Sequence, residues 1–189
     1  MNTLLEDLDW ALRIGAFLIS LTVFVKGILE YSKAQRWKKA VFVADEVKDF
    51  YENIDVQRAL TLLEWHENTI HLKPHELDGQ TKLQVSDDLL ISSLRVNVPH
   101  SAFTPEELLV RSLFKVLFNR FTMFDNHLRI GLFRVKDMQP FMMHWVRIIA
   151  DANDSQKPDE VKRQLWTFID TYRYRSVRDL CGRFGFVDY

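Results

Sequence analysis

Hydrophobic positions run together once in this chain and recur at helical spacing through most of the rest. From Trp10 to Leu29 the sequence reads WALRIGAFLISLTVFVKGIL, with charge only at Arg13 and Lys26. Its uncharged centre, Ile14 to Val25, holds 12 residues, fewer than the roughly 20 a bilayer-spanning helix needs. Arg13 and Lys26 stand at its two ends, where their long stems can run along the helix and set the charges at headgroup level. Counted through them, Trp10 to Tyr31 is long enough to span. Trp10 and Tyr31 bracket it, as aromatic residues do at membrane interfaces.

The flanks differ in sign. Glu6, Asp7 and Asp9 precede the run, while Glu30 closes it and Lys33, Arg36, Lys38 and Lys39 follow, with no acid between Tyr31 and Asp45. The positive-inside rule then predicts an N-terminus outside and everything after Tyr31 in the cytoplasm. The expected organisation is an anchor at 1–31 in the inner (cytoplasmic) membrane and a cytoplasmic helical domain at 32–189. Three other readings compete. A cleaved signal peptide needs a basic start, which the acidic flank opposes. An interfacial helix needs a broad polar face, which Arg13, Ser20, Thr22 and Lys26 do not make. A buried core helix is the third, since Arg13 and Lys26 lower the hydropathy. Gly15, Ser20 and Gly27 are small enough for close helix packing, though not at GxxxG spacing.

Beyond the run, a helical pattern continues from Ala34 to Asn53, with Trp37, Val41, Ala44 and Val47 on one stripe and Val43, Phe50 and Ile54 beside it. Asn53 or Asp55 can cap a helix over Val56 to Glu67. Asn68 to Val98 is the least regular part. Ile70 to Leu72 and Lys82 to Val85 pair as a short hairpin across Asp78-Gly79, and Ser86 starts a helix over Asp87 to Leu94. Thr104-Pro105-Glu106-Glu107 combines a capping Thr, Pro at the first helical position and acids in the first turn. That helix runs to Arg129. Leu113, Leu117, Phe121 and Phe124 lie on its apolar face, and Arg111, Lys115, Asn119, Thr122, Asn126 and Arg129 on a polar stripe. Gly131 breaks it. Further helices follow over Lys136 to Ala150, from Pro158-Asp159-Glu160 onward, and around Val177, Leu180, Cys181 and Phe184. The predicted fold is mainly α: an N-terminal transmembrane helix followed by a cytoplasmic α-helical bundle, with room for one short β-hairpin.

Composition narrows the chemistry. With 25 basic and 26 acidic residues the net charge is -1, which argues against a dedicated nucleic-acid binder. One cysteine, Cys181, makes neither an internal disulfide nor a zinc-finger framework, and its place on an apolar helix face reads as a buried, inert thiol. His66, His71 and His75 lie close in sequence among carboxylates. Such a group can bind a metal, but Pro74 separates His71 from His75 and no HExxH is present, so solvated loop histidines are the preferred reading and no cofactor is expected. Phosphate-loop, dinucleotide-binding and nucleophile-elbow motifs are absent from the sequence. The run Tyr172-Arg173-Tyr174-Arg175, with Arg178 and Arg183, mixes aromatics and arginine. It suits an anion or headgroup contact, single-stranded nucleic acid, or arginine packed over rings inside the bundle.

Two stretches, Gln35-Arg36-Trp37-Lys38-Lys39 and FDNHLRIGLFRVKDMQPFMMHW from Phe124 to Trp145, resemble the DUF4760-like bacterial membrane-anchored helical proteins. The resemblance covers most of the chain after Lys33, apart from Asn68 to Val98. It implies an anchored helical fold and brings no catalytic residues.

The resulting expectation is a non-enzymatic, single-pass module whose partners are the membrane and either another protein or a second copy of itself. One alternative is a pore-forming or membrane-disrupting effector that oligomerises through the N-terminal helix. Another is a soluble helical enzyme or metal protein with the first helix buried.

Overall fold

A computed structural model describes residues 2–186, with side chains at residue 10 and at 13–186. The acidic flank Glu6, Asp7 and Asp9 lies outside the described side chains. The described residues form seven α-helices and one two-stranded sheet, so the fold is mainly α with a short hairpin and a long apolar N-terminal helix. The chain divides into two compact units, Met1–Phe42 and Val43–Tyr189. Helix α1 (Asn2–Glu52) accounts for the described part of the first and supplies its last turns to the second.

In the second unit α1 buries Val43, Val47 and Phe50. The stripe read from sequence differs: Trp37 is 71% exposed, and Val41 and Ala44 are exposed too. The correction has a simple cause. Two apolar stripes lie side by side on this helix, and only the one carrying Phe50 meets aromatic partners. Its ring lies 6.0 Å from Phe121 and 5.2 Å from Phe124.

Asn53 ends α1 and starts α2 (Ile54–Glu64). Its backbone is extended, and its side chain accepts from the N–H groups of Asp55 and Val56, which satisfies two donors that a helix start leaves open. Helix α2 stops at Glu64, short of Glu67, because the chain becomes extended at Trp65 and enters β1 (Glu67–His71). Strand β1 pairs antiparallel with β2 (Lys82–Ser86), from Glu67 opposite Ser86 to His71 opposite Lys82. Alternation turns Ile70, Leu83 and Val85 inward. The turn carries Gly79 at φ +72°, a left-handed conformation that costs glycine little. The connecting loop is tied to α2 by Arg58, whose Nη1 reaches both Glu76 oxygens at 2.9 and 3.0 Å, and by Lys73 to Asp55 at 2.6 Å.

Ser86 caps α3 (Asp87–Ser93) through the Leu89 N–H. A short 3-10 turn, His100–Ala102, precedes α4 (Pro105–Arg129). The capping box of α4 closes in both directions: Thr104 Oγ1 accepts from Glu107 N–H, and Glu107 accepts from Thr104 N–H at 2.9 Å. Helix α4 is the centre of this unit, packed against α2, α3 and α7. Phe114, Phe118 and Phe121 are fully buried along it. It ends in a Schellman motif with Gly131 at φ +75°, where Leu132 N–H reaches His127 O and Gly131 N–H reaches Leu128 O. Helices α5 (Val135–Ala150), α6 (Asp159–Thr171) and α7 (Arg175–Arg183) complete the bundle.

Candidate functional site

In the first unit, α1 from Arg13 onward is long and apolar enough to cross a membrane, and none of its most apolar window is buried within the chain. Phe17, Ile19, Val23 and Phe24 are each about two-thirds exposed (66%, 67%, 65% and 65%). At 100° per residue these positions, with Leu18, Leu21 and Leu29, go all the way round the helix rather than forming one stripe. Local contacts lower the polarity further. Thr22 Oγ1 donates to Leu18 O at 2.8 Å, so the hydroxyl is satisfied inside its own helix. Lys26 has a counterion in Glu30 one turn on, at 3.8 Å. The bracketing aromatics Trp10 (69%) and Tyr31 (67%) are exposed, as are Arg13 between them and Lys33, Arg36, Lys38 and Lys39 after Tyr31.

The C-terminal arginines do not act as one group. Arg173, Arg175 and Arg178 line a cleft of about 440 Å³ together with Asp170 and Asp179. Arg178 is engaged there: it grips both Asp170 oxygens at 2.7 Å and lies 5.2 Å over the Trp166 ring. Arg183 is elsewhere, tied to the buried Asp125 of α4 at 2.8 Å. Arg173 occupies φ +58°, in the helix-ending position where glycine is usual. Tyr174 N–H reaches Ile169 O and Arg173 N–H reaches Asp170 O around it.

The histidines also separate. His66 immediately precedes β1 and His71 ends it, about 15 Å of chain apart. His66 Nδ1 is 2.6 Å from Asp87. His75 sits at φ +74° in the following loop. No group of three or more His, Cys, Asp or Glu side chains among the described residues could hold a metal ion, and the extended strand keeps His66 and His71 apart.

Groups with displaced acidity are structural. Burial pushes the Cys181 thiol from 9.0 up to about 12, the reverse of an activated nucleophile. Burial lowers the Lys157 ammonium despite Asp87, which binds it and favours its charge. Lys157 also donates to Trp65 O at 2.6 Å. Lys162, equally buried, donates to the carbonyls of Asp151 and Asp154. These lysines tie loops to the bundle. For Glu107, burial opposes ionisation, but hydrogen bonds from Thr104 N–H and Ser92, with the adjacent Arg95, outweigh it and hold the carboxyl below its ordinary range.

Sequence reading placed Arg111 on the polar stripe of α4, yet it is 7% exposed. Its guanidinium lies 4.8 Å from the Phe103 ring, 4.7 Å from Phe168 and 5.0 Å from Tyr172. It donates to Ser93 O at 2.9 Å, Arg95 O at 2.8 Å and Tyr172 Oη at 2.5 Å. The signal was present in the spacing. Arg111 stands four residues after Glu107, three before Phe114 and seven before Phe118, the rhythm of the buried face. Beside it opens a cleft of about 340 Å³.

No protein-family model, curated protein or solved structure matches this chain.

Proposed function

We propose that this protein is a non-enzymatic, membrane-anchored helical module. Residues Trp10 to Tyr31 cross the inner (cytoplasmic) membrane with the N-terminus outside, and the domain from Val43 on binds another cytoplasmic protein or a second copy of the chain. The observation that carries the reading is the all-round exposure of the apolar stretch of α1. An apolar surface that large is costly in water, at about 25 cal/mol per Å², and it matches a lipid solvent. The basic residues Lys33, Arg36, Lys38 and Lys39 support the orientation.

The test is membrane partition of the full chain. The protein is expected to stay in the pellet through an alkaline carbonate wash. Protease added outside is expected to remove a tag at Met1 and spare one at Tyr189. Release by carbonate, or the opposite accessibility, would overturn the reading.

A further inference from the structure

The geometry points to a small-anion site in the cleft over Arg111, taking an oxyanion (phosphate or carboxylate) carried on a compact apolar body. This goes beyond the anchoring role and does not depend on it.

Arg111 carries a permanent charge and is more than nine-tenths buried. Buried charges are normally paired with an opposite charge. Among the described residues no carboxylate forms an ion pair with Arg111; it rests on two carbonyls, a phenol and three aromatic rings. Ring faces offset part of a cation's desolvation but supply no net charge. The nearest acid on the same helix, Glu107, is held by Arg95 at 3.0 and 3.1 Å. A guanidinium has five N–H donors. Two go from Nη1 to the carbonyls of Ser93 and Arg95 and one from Nη2 to Tyr172. The Nε–H and one Nη2–H make no hydrogen bond within the described chain.

The charged lining of the cleft has one sign. Arg111 and Lys115 line it, with no Asp or Glu. Lys115 follows Arg111 by one turn, so both point to the same side of α4. Lys115 is exposed and forms no ion pair among the described residues. Val98, Phe103 and Leu108 give the remaining wall an apolar character, and its volume of about 340 Å³ lies at the small end of ligand pockets, roughly 300 to 1,000 Å³. The Arg111 fork is already immobilised by its three hydrogen bonds, so binding loses little side-chain freedom. By contrast, the cleft of Arg173, Arg175 and Arg178 contains Asp170 and Asp179, which repel an anion.

The full chain in mild detergent is titrated by calorimetry with inorganic phosphate, phenyl phosphate and benzoate in a gluconate buffer. One saturable site per chain is expected, with phenyl phosphate bound more tightly than inorganic phosphate and a Kd of about 1 mM or lower. Because Arg111→Met removes a buried tie and risks unfolding, the deciding variant is Lys115→Ala, whose side chain is exposed. It is expected to weaken phenyl phosphate about tenfold, while Arg175→Ala in the other cleft leaves binding unchanged. Short-chain phosphatidic acid separates the sources. Displacement of phenyl phosphate at lower concentration assigns the anion to a headgroup and weaker displacement to a soluble compound, and both outcomes keep the site. Absence of saturable binding by all three probes overturns the inference. So does binding that survives Lys115→Ala and is lost in Arg175→Ala.

Discussion

The Tyr51 hydroxyl accepts a hydrogen bond from the Trp145 indole at 3.1 Å and donates one to Phe141 O at 2.9 Å. One phenol therefore holds the last turn of α1 to α5 across 90 and 94 residues of sequence. Tyr51→Phe keeps the ring, which packs edge-on against Phe50 at 5.2 Å, and removes only the hydroxyl. The expected loss is about 1 kcal/mol, read as a lowered urea midpoint with unchanged m. Adding Trp145→Phe should then cost less than it does alone, because the two share one interaction.

Removing one partner from the Lys157–Asp87 pair is predicted to act asymmetrically. Lys157 is 2% exposed, so Asp87→Asn leaves a buried ammonium without its counterion, at a cost of about 3 kcal/mol. Lys157→Met removes the buried charge itself and should cost less, since Asp87 keeps His66 at 2.6 Å. The sign of the pH dependence follows from burial, which makes the Lys157 ammonium give up its proton more readily in the folded state. Between the folded and unfolded lysine values the unfolded chain binds more protons, so stability rises with pH there. That rise should be steeper in Asp87→Asn, where the group favouring the charged lysine is gone. Thermal melts of both variants from pH 7 to 10 check it, and a flat profile in Asp87→Asn would refute the assignment.

Cys181 is predicted to be unreactive in the folded protein. Iodoacetamide at pH 8 should label it only as urea opens the chain. Its raised thiol value means the folded state holds the proton longer than the unfolded state. The associated stability is present below pH 9 and is lost as pH rises towards 12, at about 1.4 kcal/mol per pH unit within that window. Cys181→Ala should remove this part of the alkaline slope, which urea titrations at pH 8, 9 and 10 measure.

Arg173→Gly should stabilise the protein. An L-residue in the left-handed region costs roughly 1–2 kcal/mol, and glycine's larger unfolded-state entropy returns part of that gain. An increase of about 0.5–1 kcal/mol is expected, read as a raised urea midpoint. A fall in the midpoint would refute it.

A charge placed on the apolar part of α1 tests its surroundings. Leu21→Asp adds about 2.5–3.5 kcal/mol to insertion at the centre of a spanning helix. The expected result is a shift of the protein from the membrane pellet to the soluble or aggregated fraction. Unchanged partition would count against a spanning role for Trp10 to Leu29.

Several elements were legible along the chain because their causes lie within a few residues. Thr104-Pro105-Glu106-Glu107 starts α4 through bonds that reach three positions, and Ser86 caps α3 in the same way. Gly131 ends α4, and Asp78-Gly79 turns the hairpin whose register the structure then records. The apolar run at Trp10 to Leu29 is equally local, since hydropathy and length need no partner to be counted.

Which charged groups meet was decided elsewhere. Arg111, Arg178 and Arg183 look alike in sequence, yet one is caged by Phe103, Phe168 and Tyr172, one grips Asp170, and one is tied to Asp125. His66 finds Asp87 rather than His71. A cap or a turn is set by backbone geometry repeating over 3.6 or 2 residues. A side chain's burial and counterion depend instead on which distant segments the packed core brings alongside it, and periodicity carries no information about that choice.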